Sequence, residues 1–246
     1  VRRLPILVLA LLLTACLNGG PVVSDVTSSP SASPAPPTTA GPTTGPTPSA
    51  DLPTGLPPGF PDDAGPGEVP SAALIPLTGR VSGRWDAATA AGDVIVVSWR
   101  MPSDDPLQAP GGVAVWARRS WADGGDPWRP VWGESWRARD GVLGTSAEVG
   151  DITGDGSPDA VISLATGGSG ACSHVRGVDL MADATVYIRD DLCDAVVVPG
   201  DPGLVVTEAI FRSGDAHCCP SGLRTSELTY AGGLEWIVTS ETETEL

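Results

Sequence analysis

The 246-residue sequence predicts an all-β fold: a single antiparallel β-rich head, arranged as a meander or as open blade-like sheets, behind a disordered tether. Three observations point that way. Short β-branched and apolar runs recur at about ten-residue spacing through the second part of the chain. Gly, Pro and Asp clusters punctuate those runs, as tight turns require. No stretch of the head carries the 3.6-residue apolar period of an amphipathic helix.

The strands follow in chain order. VIVVSW (94–99) and GVAVWA (112–117) come first, then AVISLA (160–165), ATVYI (184–188), AVVV (195–198), LVVT (204–207) and EWIV (235–238). Branched side chains pack well on a pleated surface and lose χ1 freedom in a helix, which is why these runs read as strands. The head is expected to span 71–240, about 170 residues, enough to bury one core. The acidic end, 241–246, reads as a frayed tail.

The start of the chain gives its address. Arg2 and Arg3 precede an apolar run from Leu4 to Leu13, too short to span a bilayer. Residues 1–15 read as an export signal. Leu13-Thr14-Ala15-Cys16 resembles a bacterial lipobox, which implies lipidation of Cys16 and anchoring to the outer face of the cytoplasmic membrane or the cell surface. Residues 16–70 are rich in Ser, Thr, Pro, Ala and Gly, with too little apolar surface to offset the entropy of ordering them. The formal charge is −16 and every basic residue is Arg. So acidic a chain repels polyphosphates, which argues against nucleic acid as a partner.

One loop carries the most specific chemistry. In VGDITGDGSPDAVI (149–162), Asp151, Thr153, Asp155, Ser157 and Asp159 fall at positions 1, 3, 5, 7 and 9 of a glycine-broken turn. That spacing suits a hard, oxygen-seeking cation such as Ca2+, with side chains at 1, 3, 5 and 9 and a carbonyl at 7. Position 12, where an EF-hand places a bidentate Glu, is Ile162. The stretch is similar to the metal loop of FG-GAP/VCBS-type repeats, in which a Ca2+ loop joins two strands of a β-blade. The resemblance implies a Ca2+ ion that holds a turn and performs no chemistry. Thr153 supplies a weaker donor than the Asn or Asp usual there. Only one copy of the loop occurs, and a closed propeller usually needs at least four blades, so open sheets are expected.

Four cysteines follow the loop: Cys172, Cys193, Cys218 and Cys219. In an exported domain an even number argues for disulfides, and three connectivities are open. Cross-pairing of the adjacent cysteines to Cys172 and Cys193 is one; Cys172–Cys193 with a vicinal pair is another. The two histidines, His174 and His217, sit beside cysteines, which leaves a thiolate/imidazole zinc site as a further alternative. The segment 167–236, above all GDAHCCPSG (214–222), looks like the C-terminal half of exported proteins and lipoproteins of high-GC Gram-positive bacteria.

Trp128, Trp132 and Trp136, interleaved with Arg, are either core residues of a domain poor in Phe and Tyr or a stacking platform for a ligand. The sequence shows no nucleophile elbow, metalloprotease helix, phosphate loop or dinucleotide fingerprint. The expected function is therefore non-enzymatic: binding or scaffolding in the envelope, with membrane, envelope protein or glycan as partners. The alternative is a glycan-binding or glycan-acting surface protein that uses the Trp-rich strands.

Overall fold

The computed structural model describes residues 55–89, 92–105, 109–118, 127–166, 171–216 and 219–246. Cys16, Trp121, His217 and Cys218 lie outside the described residues. The described chain is all-β, with two single 3-10 turns, Ser71–Leu74 and Ala138–Asp140, as its only helical segments.

Among the described residues twelve strands form three four-stranded antiparallel sheets, each a meander in strict chain order. Sheet I contains β1 (Arg80–Ala88), β2 (Asp93–Arg100), β3 (Gly111–Ala117) and β4 (Arg129–Trp136). Sheet II contains β5 (Val142–Gly150), β6 (Asp159–Thr166), β7 (Ser173–Asp179) and β8 (Ala184–Leu192). Sheet III contains β9 (Ala195–Pro199), β10 (Leu204–Ile210), β11 (Gly222–Gly232) and β12 (Glu235–Glu245). None of the sheets closes on itself, so the expected open, blade-like arrangement is what the chain adopts.

Alternation explains how the sheets stack. Side chains two apart share a face. In β2, Val94 and Val96 enter the core between sheets I and II, whereas Ile95, Val97 and Trp99 enter a second core on the opposite face. β6 divides in the same way: Ala160, Ile162 and Leu164 meet sheet I, and Val161 meets sheet III. Both faces of these strands are buried, so they read as unbroken apolar runs rather than as alternating ones.

Two boundaries read from the sequence are corrected. The composition of residues 16–70 predicts a tether, yet within 55–70 Phe60 and Val69 are buried on the outer face of sheet I beside Leu74, Ile75, Trp99 and Trp116. The Trp116 indole N–H donates to the Leu74 carbonyl at 3.2 Å, and the Trp128 indole to that of Gly67 at 2.8 Å. A few apolar anchors and two indole hydrogen bonds hold a Pro/Gly-rich strap where composition suggested none. Gly112 leaves the space this needs, since a Cβ there would lie 2.2 Å from the Trp99 ring. The acidic end is also a strand. Residues 241–245 pair with β11, where Arg224 bridges Glu241 and Glu243 and so offsets the local negative charge.

Candidate functional site

The loop 151–158 closes the β5–β6 hairpin, and hydrogen bonds to its own carboxylates shape it. The Asp151 carboxylate accepts from the amides of Gly154 (2.7 Å) and Gly156 (3.0 Å). Asp155 accepts from the Ser157 amide at 2.7 Å. Asp159 Oδ2 accepts three bonds, from the amides of Ile152 and Thr153 at 2.9 Å each and the Thr153 hydroxyl at 3.0 Å. Gly154 and Gly156 stand at φ 79° and 83°, a left-handed region that glycine enters without a Cβ penalty.

Asp159 is fully buried, and its Oδ1 has no hydrogen-bond partner. Burial pushes its carboxyl up to about 6, against the pull of the hydrogen bonds from Thr153, and the charge of Asp179 pushes the same way. An orphaned, buried carboxylate oxygen is the chemistry a cation satisfies. The donor set fits an ion to that extent. The remaining carboxylates do not converge with it: among the described residues no three His, Cys, Asp or Glu side chains gather as a ligand group. Each Asp151 oxygen and one Asp155 oxygen accept a single amide, and a carboxylate offers about four acceptor sites.

Packing fixes the loop between two sheets. Ile152 is fully buried in the core shared by sheets II and III. Gly177 makes room for it, because a Cβ there would come within 2.9 Å of Ile152 Cδ1. The Asp151 carbonyl accepts from the Gly203 amide in the β9–β10 turn at 3.3 Å. The loop thus touches the junction of two sheets and lies in the interior of neither.

The tryptophans divide between two cores. Trp132 and Trp136 face sheet II, with the Trp132 indole donating to Thr185 at 3.0 Å, whereas Trp128 faces the strap. Trp128 and Trp136 are buried. The three therefore form no common exposed stacking surface; β4 begins at Arg129, after Trp128, so strand alternation does not bring Trp128 onto the face of the other two.

Cys172 and Cys193 form a disulfide joining the segments at one end of the β7–β8 pair. Cys172 is thus removed as a zinc thiolate, and Cys219 is exposed. A charged cluster links β4, β7 and β8. Arg176 on β7 reaches across to Glu134 on β4, with N–O distances of 2.9 and 3.3 Å, and also bonds Asp190 on β8 at 2.8 Å. Glu134 is 1% exposed and Arg176 6%. Burial pushes the Glu134 carboxyl up, and the Arg176 charge opposes that. His174 Nδ1 lies 3.2 Å from Asp190 Oδ1 without hydrogen-bond geometry.

No family model, curated protein or solved structure matches the chain.

Proposed function

We propose that the protein is a lipid-anchored surface protein whose all-β head binds or scaffolds in the cell envelope, with Ca2+ at the 151–159 loop as a structural clip. The position of the loop carries this reading. It sits at the junction of sheets II and III, anchored by buried Ile152 and by the Gly203–Asp151 hydrogen bond. An ion there would be held first by the unpartnered Asp159 oxygen, with Asp151, Thr153, Asp155 and the Ser157 carbonyl as the donors that must draw in toward it, and would neutralise a buried carboxylate and brace two sheets. Thermal unfolding in Ca2+ and in chelator tests the clip. Stability rises by about 2.7 kcal/mol when free Ca2+ is about 100 times Kd. Asp155→Ala loses that increment, and so does Asp159→Asn, which in chelator melts no lower than the parent because it removes an uncompensated buried charge. Identical melting with and without Ca2+ refutes the clip. The anchor is tested by Cys16→Ala, which moves the chain from the membrane fraction to the soluble one.

A further inference from the structure

The sheets stack through their faces, and the two ends of the stack differ. At one end the chain's own strap covers sheet I. At the other, β9 and β10 send Val197, Leu204 and Val206 into the core shared with sheet II, which turns Val196, Val198 and Val205 outward. Register extends this outer face. Val198 opposes Val205, Thr207 opposes Thr225, and Ala209 opposes Leu223. Val196 is 51% exposed. On β9, β10 and β11 the outward positions carry one charge, Glu227, in a chain whose net charge is −16.

We propose that this face is a homodimer interface, in which two copies stack sheet III on sheet III about a twofold axis. Three arguments select a second copy. Both internal junctions of the molecule are made by alternate apolar residues of facing sheets, and the outward valines continue that construction one layer further. Two strongly acidic molecules approach at lower electrostatic cost through a face whose paired outward positions on β9, β10 and β11 carry a single charge, Glu227. A head-to-tail stack would need the outer face of sheet I, which residues of the same chain already fill. Growth therefore ends at two copies, with the self-complementary contact that a twofold axis requires.

Size sets the strength. Four strands at about 4.8 Å spacing and seven residues of β10 at about 3.3 Å give a face of roughly 450 Å2 per copy. Two such faces total about 900 Å2, below the roughly 1,200 Å2 at which stable specific interfaces begin and within the range of weak transient contacts, so the dimer is weak and concentration-dependent. The contact depends neither on the loop's occupancy nor on the anchor.

Sedimentation equilibrium tests it, on the full chain carrying Cys16→Ser so that no acyl group adds association of its own. A monomer–dimer equilibrium with Kd in the micromolar range is expected. Val205→Arg weakens it at least tenfold, as does Val196→Arg, the more exposed position and so the safer for folding. Met181→Arg, which replaces an exposed apolar residue in the β7–β8 turn, leaves it unchanged. Unchanged circular dichroism shows that each variant is folded. A monomer at every concentration overturns the proposal. So does a dimer indifferent to Val196→Arg, a species larger than two copies, or equal weakening by Met181→Arg.

Discussion

The outer faces of sheets I and III are built by the same alternation and end differently. On sheet I the outward side chains are large, Ile95, Val97, Trp99 and Trp116, and a strap of the same chain buries them. Where β9, β10 and β11 of sheet III pair they are Val and Thr with one Leu, one Ala and one Glu, and no core cluster of the described residues includes them. Residue size therefore tracks cover. A Trp-sized surface left in water costs several kcal/mol, whereas a Val/Thr face exposes modest apolar area and tolerates hydration.

Four substitutions probe that difference. Trp116→Ala should cost about 3–5 kcal/mol in urea unfolding, because it opens a cavity under the strap and frees the Leu74 carbonyl. A loss below about 1 kcal/mol would mean that the strap is not part of the folded unit. Glu134→Ala, inside the stack, should cost about 3–5 kcal/mol by leaving Arg176 short of its buried partner; Glu134→Leu with Arg176→Met should recover most of it. If the double change is no better than the single, packing rather than charge governs the site. Trp128→Phe should cost about 1 kcal/mol, since the ring stays and only the bond to Gly67 is lost. Smallest of all, Val196→Thr on sheet III should stay within about 0.5 kcal/mol in dilute solution. A larger loss would place that face in a contact already made by the monomer.

Much of the architecture was legible where burial on two faces imposed apolar runs. β2, β3 and β6 stand out in the sequence for that reason, and β8, β9, β10 and part of β12 follow from their β-branched residues. β5, β7 and β11 were not assigned, because Gly, Ser, Thr, Arg and Glu interrupt them and one of their faces is polar or lies at an edge. β1 carries its large apolar content on one residue, Trp85, and otherwise resembles a loop. The strap was hidden for another reason. Pro and Gly dominate its composition, and its attachment depends on a few anchors whose partners lie far along the chain, Gly133 for Gly55 and Trp128 for Ala64. The turn of the hairpin loop is legible in the sequence, since local spacing alone determines the hydrogen bonds of Asp151 and Asp155. The Glu134–Arg176 pair was out of reach, because 42 residues separate two positions that only the stacking of sheets I and II brings together.

The strap also determines how the head responds to mechanical load. The chain enters the described head at Gly55, whose amide donates to the Gly133 carbonyl on β4, and Ala64 and Gly65 bracket Trp128 with two further backbone bonds. Traction on the residues before Gly55 falls on these bonds one after another, in the geometry of a zipper pulled from its end. The expected outcome is that the strap peels from β4 first and uncovers Phe60, Trp99 and Trp116 while the sheets remain paired. A pulling experiment would register that as a small early extension, separate from the main rupture.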